Sequence, residues 1–185
     1  VTLPANEAGQ VAANALGAFP ILLHGTPEQK RKYLPKLASG EIYAAFGLTE
    51  PNAGSDAGAV ETTAVKDGDE YVLNGTKQWI TNAEVASVYT IIASTDRSRG
   101  ARGLSAFIVD KGTPGFDFGA KEKKMRIRCS VTRELHFQDC RIPASNLLYK
   151  EGRGFRVAMD TLGKSRPGIG AQAVGIAAGA LEDCL

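Results

Sequence analysis

The sequence predicts an α+β chain: helices first, then a central antiparallel beta-barrel-like domain, then the start of a helical bundle. Three observations predict it. Apolar residues recur at helical spacing up to about residue 40, short strand-like runs punctuated by glycine and proline follow from Glu41, and helical spacing returns after Pro143. The implied divisions are 1–40, 41–150 and 151–185.

The first helical segment, Glu7 to Leu23, carries Val11, Ala15, Leu16, Phe19, Leu22 and Leu23 near helical spacing, and Pro20 is expected to kink or split it. A second helix starts afresh at Thr26, with Thr26 as N-cap, Pro27 at the first helical position and Gln29 completing a capping box. It should bury Tyr33, Leu34 and Leu37 and end near Gly40. Val60 to Val65 and Tyr71 to Leu73 flank Lys66-Asp67-Gly68-Asp69, a hairpin signal. Asn74-Gly75 is expected to turn the chain into Lys77-Gln78-Trp79-Ile80-Thr81. Further strands are expected at Val88 to Ser94, Leu104 to Asp110 and Glu134 to Phe137, so roughly seven short strands suggest a barrel or sandwich. Beyond them Phe155, Ala158, Met159 and Leu162 share a helical face, which Gly163 and Pro167 should break or kink. The small residues from Gly170 to Ala180 predict close helix-to-helix contact.

Composition excludes several functions. The 185 residues are 43% hydrophobic and 23% charged with a net charge of +2, which gives no electrostatic case for a nucleic-acid or membrane-surface partner. The basic run Lys121 to Arg128 has no interleaved aromatic residue and reads as a solvated strand or loop edge. Cys129, Cys140 and Cys184 have no metal-ligand spacing, no metal is expected, and a reduced compartment is the plain reading. No segment resembles a signal peptide and no apolar run approaches a membrane span. Because the chain begins at Val1 and starts and stops inside helical patterns, a fragment is expected.

Two stretches carry chemistry. Phe46-Gly47-Leu48-Thr49-Glu50-Pro51-Asn52-Ala53-Gly54-Ser55-Asp56 reads as a short strand breaking into a loop of glycines and hydroxyls. Trp79-Ile80-Thr81-Asn82 reads as a strand end carrying the single tryptophan. Together they offer an aromatic wall, two threonine hydroxyls and exposed amides, the parts needed to hold a flat ring joined to a diphosphate. Each also has a plainer reading: a turn at Thr49 to Asn52, a cap at Ser55-Asp56, core packing for Trp79. His24, at a helix end, and His136, in a strand, read as structural, with no nearby partner expected to tune either for proton transfer.

With Tyr33-Leu34-Pro35-Lys36-Leu37, Phe107-Ile108-Val109, and Arg166 ahead of Ala173-Val174-Gly175, these motifs make the chain similar to the acyl-CoA dehydrogenases, flavin enzymes that desaturate acyl-CoA thioesters. The resemblance implies FAD-dependent α,β-dehydrogenation of an acyl-CoA in fatty acid metabolism, with electrons passed to electron-transfer flavoprotein. It implies a homodimer or homotetramer in the cytoplasm, or in the mitochondrial matrix of a eukaryote. It places Phe46, Leu48 and Thr49 along the flavin ring, Gly54 and Ser55 beside its diphosphate, and Trp79, Ile80 and Thr81 against the ring, the Thr81 hydroxyl near N5. Ser55 and Arg166 are implied as acyl-CoA contacts; without the family, Arg166 reads as a surface or helix-end arginine. Most members of the family with short-chain or medium-chain preference have aspartate near position 163, where this chain has Gly163. In one branch the catalytic glutamate stands where this chain has Ser165, and in the commoner branch it lies beyond Leu185. Glu182 and Asp183 read as solvated face, so the catalytic base is unknown and the chain alone is expected to be inactive. An acyl-CoA oxidase or flavin monooxygenase relative, and a non-catalytic assembly module of the same fold, are the alternatives.

Overall fold

The computed structural model describes residues 5–185, with side chains from residue 14 onward; Val11 lies outside the described side chains. Helix α1 (Ala5–His24) packs beside α2 (Pro27–Ser39), eight strands follow, and α3 (Gly154–Cys184) closes the chain. The strands are β1 (Ala44–Gly47), β2 (Thr63–Asp67), β3 (Glu70–Thr81), β4 (Val88–Ser94), β5 (Leu104–Asp110), β6 (Phe116–Phe118), β7 (Thr132–Pro143) and β8 (Leu147–Leu148). One sheet runs in the order β6-β7-β3-β2-β4-β5-β8, with β1 pairing β4. Most pairs are antiparallel, but β1 and β2 both lie parallel to β4.

The sheet doubles back on itself. Tyr89 of β4 meets Phe116 of β6 at 4.8 Å between ring centroids, although three strands separate them in the sheet order. Tyr71 of β3 likewise meets Phe107 of β5 at 4.8 Å. The side chains of β4 therefore divide between two cores. Tyr89, Ile91 and Ala93 face the folded-over half of the sheet, and Val88 and Ile92 face the helices with Ile21, Tyr33, Leu37 and Val157. With both faces covered, all seven residues of β4 are buried, as a continuous apolar run requires.

Several local expectations need correction. Pro20 and Pro167 each lie inside an unbroken helix. Each removes one amide donor without ending the helix; Pro20 is buried against neighbours, and the carbonyl that Pro167 crowds belongs to Gly163, which has no side chain. In α1 the buried face is Gly17, Pro20 and Ile21, so Leu22 and Leu23 are exposed. Asn74-Gly75 makes no turn: both sit inside the twelve-residue β3, at a bulge opposite β7. The Asn74 side chain is held there by the Asp139 amide, and Gly75 at φ +144° admits a backbone that a Cβ would drive to 2.6 Å from Thr62 Oγ1. The true turn is Gly68-Asp69, with Gly68 at φ +58° as a type II′ hairpin demands. The segment from Gly163 to Leu185 packs against almost nothing, and a Cβ at Gly170, Gly175 or Gly179 would meet open space. No helix crosses it, so the small residues make no close contact among the described residues. Strands β6 and β8 are too short for periodicity to reveal. No helix among the described residues is long and apolar enough to cross a membrane.

The capping box at Thr26 forms as expected, and Gly40 ends α2 at φ +76°. Gln29 does more than cap: its buried amide also donates to the carbonyls of Ser145 and Leu147, fastening α2 to the chain entering β8. Helix α1 presses on β1 so closely that a Cβ at Gly17 would stand 2.6 Å from Ala44 Cβ and 2.7 Å from the Ala45 nitrogen. Gly17→Val is accordingly expected to lower stability by about 2–3 kcal/mol, because backbone cannot yield as a side-chain tip can. A thermal melt beside wild type checks this.

Candidate functional site: a cradle at the end of β1

The two motif stretches meet. β1 runs beside β4 and delivers Leu48, Thr49 and Glu50 to the bulged end of β3. The Gln78 amide donates to the Thr49 carbonyl at 2.8 Å, and the Asn82 side chain donates to the Ala44 carbonyl at 3.1 Å. Asn14 of α1 accepts from the Ala44 amide at 2.7 Å, so β1 is gripped from both sides. Beneath this contact lies a feature that sequence reasoning missed. Lys77 Nζ donates to Glu50 Oε1 at 2.6 Å and to the Leu48 carbonyl at 3.2 Å. The two side chains are 0% and 2% exposed. Glu50 also accepts from the Glu61 and Thr62 amides, at 2.6 and 3.0 Å, and thereby fixes the loop's return path.

The electrostatics follow from burial. Burial pushes the Lys77 ammonium down to about 8, against the pull of Glu50. Burial works to raise the Glu50 carboxyl, but the Lys77 charge and the Lys77, Thr62 and Glu61 hydrogen bonds outweigh it and hold that carboxyl below its usual range. The pair is ionic, and both members carry several hydrogen bonds.

Above this floor the surface is open. Trp79 is 56% exposed, at the bulge between Lys77 and Ile80, with φ at +61°. A tryptophan in the left-handed region is an outlier that the surroundings must enforce, a frequent mark of a functional site. It is not packed in the core, whereas Ile80 is. Phe46 and Leu48 are half-buried against the helix-side core, and Thr49 and Thr81 are half-buried with hydroxyls that bond to no described residue. Gly54 and Ser55 are exposed, and the amides of residues 54–57 donate to no acceptor among the described residues. A Cβ at Gly54 would meet nothing within 4 Å. Free amides in succession, with open space before them, suit an anion.

The outlying candidates fare differently. Arg166 is exposed on α3, past Thr161 where burial against the body ends, and no hydrogen bond or ion pair joins it to the described residues of the cradle. It stands within a continuous helix and not at a broken start. Ser165 Oγ donates back to the Leu162 carbonyl at 3.1 Å. The histidines do have acidic neighbours, contrary to expectation. His24 Nε2 lies 3.0 Å from Asp160 Oδ2, at an angle that makes no hydrogen bond, and His136 Nε2 lies 3.5 Å from Glu134. Sequence spacing hides only the first partner: Asp160 comes from α3, whereas Glu134 lies two residues from His136 on the same face of β7, a signal the strand period carries. Lys121 to Arg128 forms an exposed loop, entered and left through β6 and β7. No group of three His, Cys, Asp or Glu among the described residues could hold a metal.

A helical start, a folded-over mixed sheet and an open surface of aromatic and hydroxyl side chains occur together in this chain, and sequence profiles give the family. The acyl-CoA dehydrogenase middle domain matches residues 45–140, and the acyl-CoA dehydrogenase N-terminal domain matches residues 5–41. The chain belongs to the acyl-CoA dehydrogenase family. It is 57% identical over 164 residues to an acryloyl-CoA reductase (NADH) of Anaerotignum propionicum, covering 88% of this chain and 42% of that protein. Butyryl-CoA dehydrogenase from Megasphaera elsdenii superposes with a TM-score of 0.93 at 50% identity, over 97% of this chain and 47% of that one. A chain in the solved structure of the electron transferring flavoprotein of Acidaminococcus fermentans superposes with a TM-score of 0.93 at 53% identity, over 96% of this chain and 47% of that one. The chain thus spans less than half the length of these relatives.

Proposed function

We propose that this chain is the flavin-holding part of an FAD-dependent enzyme that removes hydrogen across the α,β bond of a short acyl-CoA thioester. The carrying observation is the junction of the two motifs, Gln78 to Thr49 at 2.8 Å with Lys77 beneath it, which sets Trp79 and two free threonine hydroxyls beside a run of free amides. The residues fit FAD: an exposed aromatic wall for a ring, hydroxyls for its polar edge, and exposed amides at Gly54 and Ser55 for its diphosphate. Bound there, FAD supplies an acceptor for the β hydride.

The chain's own residues do the remaining work. Trp79, Phe46 and Leu48 shield the ring from water, with Ile80 contributing from the core side through its backbone. Thr49 and Thr81 would offer their hydroxyls to the polar edge of the bound ring, and Gly54 and Ser55 would hold its diphosphate through their amides. Ser55 and Arg166 contact the acyl-CoA. The α-proton requires a carboxylate, which Ser165 cannot provide, so the base comes from outside this chain. Residues 1–40, 41–150 and 151–185 serve as the end of a helical domain, the flavin domain and the start of a second helical domain. Electrons leave to an electron-transfer flavoprotein; the likeness to a chain in such a structure supports this. The family resemblance supports a homodimer or homotetramer, in cytoplasm or mitochondrial matrix.

Incubating the purified chain with FAD, followed by gel filtration, is expected to retain flavin absorbance and quench Trp79 fluorescence. Adding butyryl-CoA and an electron-accepting dye is expected to give no reduction. Loss of all flavin on the column overturns the cradle assignment, and dye reduction overturns the outside base.

A further inference from the structure

We infer that the buried Lys77–Glu50 pair is a positioning device for the cradle: it fixes the Leu48-Thr49 segment against the Trp79–Thr81 bulge in a geometry that binds flavin. This rests on the proposed FAD site and adds two residues that never touch the ligand. Besides the bond between them, the two side chains make three hydrogen bonds to backbone: one to the Leu48 carbonyl and two from the adjacent amides of Glu61 and Thr62. Lys77 is two residues from Trp79 and reaches the Leu48 carbonyl; Glu50 is one residue from Thr49 and reaches the Glu61 and Thr62 amides. The strand that starts the cradle, the strand that ends it and the loop between them are thus joined at one buried point.

Burial decides what such a pair is for. A fully desolvated ion pair contributes little net stability compared with apolar residues of the same volume, because desolvation offsets the attraction. What it supplies is directionality: Lys77 must present its donors to two fixed oxygens, and Glu50 must present both of its oxygens to fixed amides. Trp79 at φ +61° needs such an anchor. Two residues before it, Lys77 is locked by its side chain; one residue before it, Gln78 is locked by its amide. The bulge cannot relax without breaking one of these locks.

The test separates position from stability. Lys77→Met/Glu50→Gln removes both charges together while keeping volume. Ile142→Val, a buried core change at the opposite end of β3 and β7, serves as the control, and its melting temperature is measured beside that of the double variant. FAD affinity is read from Trp79 quenching and from the visible flavin band, and hydrogen exchange is read at the Gln78 amide. The inference expects the double variant to bind FAD at least tenfold more weakly than wild type. It also expects the Gln78 amide to exchange at least tenfold faster, with Ile142→Val near wild type in both. Unchanged affinity and unchanged Gln78 exchange in the double variant overturn it, and so does an equal loss in Ile142→Val. If wild type itself takes up no FAD, the cradle assignment fails; Gln78 exchange then still decides whether the pair couples the two segments. If the double variant does not fold, Glu50→Gln alone is measured the same way and judged by the same outcomes.

Discussion

Lys77→Met alone is expected to lower unfolding stability by about 3–5 kcal/mol, the largest effect of any single change in the cradle. Methionine fills nearly the same space, so packing is retained. The loss comes from Glu50, left as a buried carboxylate with two amide donors and no cation. The second substitution, Glu50→Gln, should recover much of that loss, although it removes yet another charge. Denaturant melts of the two single variants and the double variant form a cycle whose non-additivity measures the pair. Single losses that simply add would show that the charges do not interact.

The pH dependence provides an independent check. In the folded chain Lys77 gives up its proton near 8, below the ordinary 10.5. Between those values the unfolded chain binds more protons, so the Lys77 contribution to stability rises with pH across the window. Burial raises Cys140 to about 11 and Tyr71 to about 12, and these act in the opposite direction at higher pH. Wild type minus the Lys77→Met/Glu50→Gln double variant isolates the lysine above pH 6, where Glu50 is ionised in both folded and unfolded wild type: the difference should change between about pH 8 and 10 and stay flat from 6 to 7.

Trp79→Gly is expected to weaken FAD binding by at least tenfold while leaving stability unchanged or slightly raised. Removing an aromatic side chain normally destabilises a strand, but here the ring is mostly in solvent and its backbone sits at φ +61°. Glycine adopts that conformation without steric cost, which returns on the order of 1 kcal/mol. With the only tryptophan gone, binding is followed through flavin fluorescence and stability through far-ultraviolet circular dichroism. A large drop in melting temperature would place Trp79 in the core and sink its assignment as the flavin wall.

Much of the fold was written in local pattern. The capping box at Thr26, the hairpin at Gly68 and the strand from Val88 to Ser94 are carried by residues close together in sequence, and all three form as read. Proline and glycine misled: Pro20 stayed within a helix where it is buried against its neighbours, Pro167 stayed within the exposed part of α3, and Gly75 serves a bulge opposite β7 where Thr62 leaves no room for a side chain. The motifs that compose the cradle were legible because loops that hold ligands carry unusual residue types. Their mutual placement was not.

The sequence by itself determined the helix–strand–helix order and the family, since both are carried by residue type and spacing along the chain. Only the tertiary structure decided that Trp79 is exposed, that His24 faces Asp160, and that Lys77 and Glu50 meet at 2.6 Å with solvent excluded. A lysine and a glutamate twenty-seven positions apart look like two ordinary surface charges. Their pairing exists because the β3 bulge and the end of β1 converge in space, and burial then makes separating them costly.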